Sequence, residues 1–168
     1  MNSESSPALL GQLIEALRQE LQQYGEILAL LEQQQQAVVS RAADDVVQAA
    51  LAIPLQLEAI GTARQTRTQL QAELGQQLKL PAPVNFSALV PALPEKYRGA
   101  VHALVSENNQ LLVRVQQRAR QNHILLSRSL ELMQEFIAAL VPATPRMYNG
   151  DGQMSGVKIA SHSLEVLG

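Results

Sequence analysis

Residues 95–141 read EKYRGAVHALVSENNQLLVRVQQRARQNHILLSRSLELMQEFIAALV, the longest proline-free stretch with a helical pattern in the chain. It follows Pro94 directly and contains no proline before Pro142. Proline is favoured at the start of a helix, because its fixed φ suits the first turn and its missing N–H costs nothing there. Core-type residues recur at steps of three and four on one helical face: Tyr97, Val101, Leu104, Leu111, Val115, Leu125, Ser129, Leu132, Phe136 and Leu140. The stretch predicts a helix roughly 70 Å long, which needs other helices to cover its apolar face.

The composition predicts a soluble helical protein. Of the 168 residues, 46% are hydrophobic and only 3% are aromatic, and the abundant Gln, Ala and Leu favour helix. A formal net charge of −2 argues against generic attraction to nucleic acid or anionic lipid. Cysteine is absent, which excludes disulfides and thiolate sites. Residues 1–7 lack the layout of a signal peptide, and we find no run of about 18 apolar residues. We therefore expect a cytoplasmic protein without membrane insertion.

A first helix is predicted at residues 7–39. Its apolar seam has the spacing of a coiled coil or long bundle and consists of Leu10, Leu13, Leu17, Leu21, Tyr24, Leu28 and Leu31. Most of the charged residues on its other faces are acidic. The glutamine run at 33–36 interrupts the seam, and we interpret it as a solvated or frayed turn.

A second helix is predicted at residues 44–78, with Asp44 as its N-cap. Its expected inward positions are Val46, Ala50, Ile53, Leu57, Ile60, Leu70, Leu74 and Leu78. Pro54 lies inside this helix and should either kink or split it. Arg64 and Arg67 are expected to pair with the acidic first helix rather than to form a binding patch.

The Pro-rich connection at 79–94 is expected to pack on the bundle as one short helical turn. The third helix, at 95–141, carries several arginines, but no aromatic platform accompanies them, which argues against nucleic-acid binding. Asn108 and Asn122 fall on its seam, either as a polar layer that fixes register or as functional residues. The expected architecture is all-α: an elongated antiparallel bundle or coiled coil of three long helices in residues 1–141, with a flexible tail at 142–168.

No constellation for catalysis, metal binding or cofactor binding is apparent in the sequence. His102, His123 and His162 lack ligand-like spacing. Asp151 lies in a Gly-rich stretch without the other acidic positions of a calcium loop. We therefore predict that the protein is not an enzyme and uses no cofactor.

The third helix is predicted to be longer than the other two by about a dozen residues, so that it extends roughly 18 Å beyond them. Its last turns, at 126–140, should then be left uncovered. An exposed apolar helical surface is typical of a partner site. We predict that the following residues contact the partner: Leu126, Leu130, Met133, Phe136, Ile137 and Leu140.

Two stretches of the sequence resemble the FlgN family of flagellar export chaperones. Residues 148–155 read YNGDGQMS, similar to the tail signature of that family, although position 149 is Asn where Gly is usual. Residues 120–126 read RQNHILL, similar to an Asn-x-x-Leu-Leu stretch upstream of that signature. The three-helix layout agrees over nearly the whole chain.

The resemblance implies a type III export chaperone that covers the C-terminal amphipathic segments of hook–filament junction proteins. It would prevent their premature assembly and deliver them to the export gate as a monomer or weak homodimer. By the same resemblance, the tail residues Tyr148, Gly150, Asp151 and Gly152 would bind the cytoplasmic domain of the gate protein FlhA. The alternative hypothesis is a structural coiled-coil protein that uses the same apolar surface to self-associate.

Overall fold

The computed structural model describes residues 5–140, and all regular secondary structure in this range is helical. The helices are α1 (Ser5–Val39), α2 (Ala43–Gln77), α3 (Phe86–Ala92) and α4 (Glu95–Leu140). The prediction of an all-α fold is confirmed; three helices are long, and α3 is a short helix inside the Pro-rich connection. Contacts divide the chain into two units, Met1–Arg128 and Ser129–Gly168. The predicted boundary between bundle and tail, at 141/142, stays a prediction.

The chain reverses between α1 and α2 through a turn in which Arg41 adopts a left-handed conformation with φ 58°. The Ala42 N–H donates to the Ala37 carbonyl at 2.9 Å, as in the Schellman motif that closes many helices. The next helix therefore starts at Ala43, without a side-chain cap. The prediction that Asp44 caps it is wrong, since Asp44 already lies in the first turn, where its charge favours the helix dipole.

The second helix, α2, continues without interruption past Pro54, so the proline does not split it. Of the residues expected to face inward, Ile60 and Leu74 are buried. Ala50 and Leu57 are exposed, and the prediction is wrong at these two positions. The reason is that apolar residues surround the first half of α2, so periodicity does not single out one face.

The Pro-rich connection is a packed part of the core of the first unit. Leu89 and Leu93 of this segment are fully buried in a cluster with residues of α1, α2 and α4. The side chain of Val84 lies directly against the backbone of α2 at Gly75, because a Cβ added to Gly75 would collide with a methyl carbon of Val84. Asn85 caps α3, accepting from the Ala88 N–H at 2.9 Å.

Within the first unit, α4 lies along α1 and runs in the same direction. The side-chain nitrogen of Asn108 donates to the carbonyl of Leu17 at 3.0 Å. The side-chain nitrogen of Asn122 donates to the carbonyl of Leu31 at 2.6 Å. In each pair the two residues are 91 positions apart in the chain. From the first pair to the second, α1 and α4 each advance by two heptads in the same direction. One parallel register is therefore kept over this length.

Candidate partner-binding site

The residues predicted to contact a partner lie on the last turns of α4. Leu126 is half-buried. The others are exposed: Leu130 57%, Met133 60%, Phe136 64%, Ile137 53% and Leu140 64%. Helical geometry places Leu130, Met133, Ile137 and Leu140 in a band about 80° wide, with Phe136 about 40° beyond its edge.

The helical segment from Ser129 to Leu140 has a polar side as well. Glu131 and Glu135 lie on the side opposite the apolar band, because they are offset from it by about half a turn. All residues of this segment are exposed. An amphipathic helix with its apolar side uncovered is typical of a protein-binding surface. Its assignment to a partner stays a prediction.

The second predicted binding element lies outside the described residues. It comprises the tail residues Tyr148, Gly150, Asp151 and Gly152. The predicted flexible tail at 142–168 lies outside them as well. The assignment of these residues to gate binding therefore stays a prediction from the resemblance.

Asn108 and Asn122 are buried, with 6% and 3% of their surfaces exposed. Besides its bond to α1, each side-chain nitrogen donates to a second acceptor, the Leu104 carbonyl at 2.9 Å and the Gln34 side-chain oxygen at 3.0 Å. The Oδ1 atoms of both asparagines have no hydrogen-bond partner in the described part of the chain. Buried acceptors without partners cost stability. A buried polar residue that fixes the alignment of two helices is expected to carry such a cost. The geometry therefore supports the hypothesis that Asn108 and Asn122 fix the register of α4 against α1, which we retain as a proposal.

The glutamine run at 33–36 is not a solvated or frayed turn, because α1 continues through it to Val39. Gln34 is buried and accepts the bond from Asn122. The guanidinium of Arg118 donates to the side-chain oxygen of Gln35. The interpretation is wrong for Gln34 and Gln35, because α4 presents polar partners to them, whereas Gln33 and Gln36 are exposed.

Glu20, on α1, is buried and forms an ion pair with Arg67; the sequence pattern did not reveal which glutamate of the first helix is buried. Its carboxylate lies 2.9 Å from the Nε of Arg67 and accepts a bond from the Tyr24 hydroxyl at 2.8 Å. Arg67 also donates to the side-chain oxygen of Gln71 at 3.0 Å. The predicted pairing of α2 arginines with the first helix is confirmed here. Burial and, after it, the hydrogen bond to Glu20 raise the pKa of Tyr24 to about 12.

A cavity of about 250 Å³ lies beside this ion pair and extends to Asn108. Its charged lining residues are already paired within the chain, since Arg64 lies 3.9 Å from the Glu20 carboxylate and Arg67 lies closer. Among residues 5–140 no group of three His, Asp or Glu side chains could hold a metal ion. His102 and His123 are exposed. The cavity therefore offers no unpaired charge to a ligand.

The helix α2 is, by length and composition alone, apolar enough to cross a membrane. Its most apolar window has a mean hydropathy of 1.4, and 11% of that window is buried. This is a weak indication of a membrane span, because core helices of soluble proteins pass the same test. In keeping with this low burial, the apolar side chains of Val47, Leu51 and Leu55 are exposed, which the periodicity of the sequence did not indicate.

The sequence of the chain matches a known protein family over most of its length. A sequence model of the family described as FlgN protein matches residues 1–156. The match covers every described residue and includes the stretches 120–126 and 148–155. No curated protein and no solved structure matches the chain.

Proposed function

The chain belongs to the FlgN family of flagellar export chaperones, and from this premise we propose that it binds hook–filament junction proteins in the bacterial cytoplasm. It covers the C-terminal amphipathic segments of these clients and prevents their premature assembly. It then delivers the client to the type III export gate. Such a chaperone acts by binding and release, so it needs no catalytic group or cofactor.

The observation that supports client binding is the exposed apolar band on the last turns of α4. An amphipathic client segment can lay its own apolar side on such a band. Phe136 offers a large contact area, and the flexible side chain of Met133 adapts to different partners. Both residues are exposed in the chain alone, so no rearrangement is needed to reach them.

Calorimetry with the C-terminal peptide of a junction protein tests this proposal. Phe136→Asp and Leu140→Asp should each raise the dissociation constant at least about tenfold, because a carboxylate would be buried in an apolar contact. Val113→Asp is the matched control, since Val113 is a half-exposed apolar residue elsewhere on α4. Unchanged affinity in both α4-end variants, or equal loss in the control, would contradict the proposed site.

We also propose that Tyr148 contacts the cytoplasmic domain of FlhA. Tyr148→Ala should weaken retention of that domain in a pull-down while leaving client affinity unchanged. If the substitution changes both interactions or neither, the two binding elements are not separate.

A chaperone that waits for its client should be a monomer or a weak homodimer. Light scattering over a roughly hundredfold range of protein concentration distinguishes such a chaperone from the self-associating coiled-coil protein. A stable oligomer of the wild-type chain that dissociates in Phe136→Asp would favour the structural coiled-coil protein instead.

A further inference from the structure

The first half of α2 carries a second exposed apolar surface, separate from the band on α4. We call it the α2 stripe and define it by Val47, Ala50, Leu51, Pro54, Leu55 and Leu57. Val47, Leu51 and Leu55 are 57%, 69% and 70% exposed, and they follow one another at steps of four. The only buried residues of this half are Ala49 and Ile60. The stripe is therefore not used in packing the first unit.

Acidic residues frame the α2 stripe at both ends. Asp44 and Asp45 lie in the first turn of α2, and Glu58 follows the stripe. Asp44 and Glu58 are separated by about 21 Å along the helix axis. None of the three forms an ion pair within the described residues, and residues 43–61 contain no Lys or Arg. The surface thus combines an apolar centre with a negative frame.

This charge pattern disfavours two occupants of the stripe. A second copy of the chain, paired antiparallel about Leu51, would place Asp44 of one copy against Glu58 of the other at both ends. Like charges in an interface are unfavourable. An anionic membrane surface would be repelled in the same way, whereas helices that lie on membranes carry Lys and Arg on their polar side.

We propose that the α2 stripe is a second partner-binding surface, which takes an amphipathic helix of about four turns with Lys or Arg at both ends of its apolar face. The ridge formed by residues four apart packs well against the groove of another helix. The terminal cations of that helix meet Asp44 and Glu58, which fixes its register and raises its association rate. This surface is additional to the proposed client site at 126–140 and does not depend on it.

The test uses the full chain and a synthetic helical peptide. The probe is a peptide of about 20 residues with a leucine face at steps of three and four and lysines about 21 Å apart. A matched peptide carries glutamate in place of the two lysines. Fluorescence anisotropy should show that the lysine peptide binds the chain more tightly than the glutamate peptide, with the difference reduced in high salt.

Four variants locate the site of binding. Leu51→Asp should weaken binding of the lysine peptide at least about tenfold, and Glu58→Lys should weaken it while improving binding of the glutamate peptide. The matched control is Gln69→Asp, because Gln69 is an exposed residue five turns along the same side of α2, beyond the stripe. Phe136→Asp should leave this affinity unchanged, which separates the α2 stripe from the client site.

Other outcomes would overturn the proposal. Unchanged affinity in Leu51→Asp, or equal binding of the two peptides, would exclude a charge-framed helix site. A wild-type dimer that dissociates in Leu51→Asp would assign the stripe to a second copy. Binding to anionic vesicles that is lost in Leu51→Asp would assign it to a membrane surface. Circular dichroism of each variant checks folding, and Leu55→Ser provides a second substitution at an exposed position of the stripe.

Discussion

At the level of single residues, the burial of Glu20 could not be predicted from the periodicity of apolar residues. In the sequence it is one of several glutamates on the first helix and lies between seam positions. In the fold it is buried, and the cost of burying its charge is offset by Arg67 and by the hydroxyl of Tyr24. The sequence indicated the pairing of charges but not which glutamate is buried, because that depends on where α2 crosses α1.

The raised pKa of Tyr24 gives a test of this buried group. Its pKa is about 12 in the folded chain and 10.0 for an ordinary tyrosine, so folding favours the protonated hydroxyl. The resulting stabilisation is complete below about pH 10 and is lost as the pH rises through about 12. Tyr24→Phe lacks this titration. Its unfolding free energy should lie below that of wild type at neutral pH, because the buried Glu20 carboxylate loses the hydrogen bond from the hydroxyl. The difference between the two chains should then shrink by roughly 2 kcal/mol between those pH values, as wild type loses the stabilisation that comes from the raised pKa.

Urea denaturation of wild type and Tyr24→Phe at a series of pH values measures this difference directly. Comparison of the two chains cancels the titration of lysines and other groups that they share. A difference that stays constant up to about pH 12 would mean that the hydroxyl is not held protonated by the fold.

At the scale of helices, the seams of α1 and α4 could be predicted from their spacing, and most seam residues of α1 are buried. The spacing could not show which helices run parallel. That follows from the bonds of Asn108 and Asn122 to α1 carbonyls. The exposed stripe on α2 was missed for a related reason: a helix with apolar residues on several sides has no single periodic face, so tertiary packing alone decides which side is covered.

The proposed register role of Asn108 and Asn122 predicts that replacing Asn108 by an apolar residue raises stability and lowers the specificity of helix pairing. The nitrogen of Asn108 bonds only carbonyls, and its oxygen has no partner among the described residues. A cavity of about 250 Å³ beside it can take a larger side chain. Asn108→Leu should therefore raise the unfolding free energy by about 1 kcal/mol and relax the register, so that the variant self-associates more readily.

Chemical denaturation and light scattering measure the two effects of Asn108→Leu. Asn109→Leu is the control, because Asn109 is the exposed neighbour on the same helix. A loss of more than about 1 kcal/mol in Asn108→Leu would mean that the bond to α1 contributes more than the orphaned oxygen costs.

At the scale of the whole molecule, the sequence predicted the all-α class, the family and the position of the connection. Its resemblance to FlgN rests on stretches of α4 and of the tail, and the family match extends over both. The assignment of 126–140 to clients could not be read from packing alone, since exposure shows only that a surface is available. The nature of the partner came from the resemblance, and its contact residues stay a prediction.

The division of the chain into two units carries a further prediction. The first unit ends at Arg128, and both described core clusters consist of residues at or before Val115. The last described bond between α1 and α4 is that of Asn122. A chain that ends at Arg128 keeps all of these contacts. It should unfold cooperatively, with a midpoint within about 5 °C of the full chain, yet lose binding of the client peptide.

A second chain, which ends at residue 147, provides the matched control for this experiment. It lacks the tail tyrosine but keeps the apolar band of 126–140, so it should retain both the fold and client binding. Thermal unfolding followed by circular dichroism and calorimetry with the client peptide are needed for each chain. If the chain ending at Arg128 still binds the peptide with unchanged affinity, the client site lies within the first unit, where the α2 stripe is the exposed apolar surface to examine next.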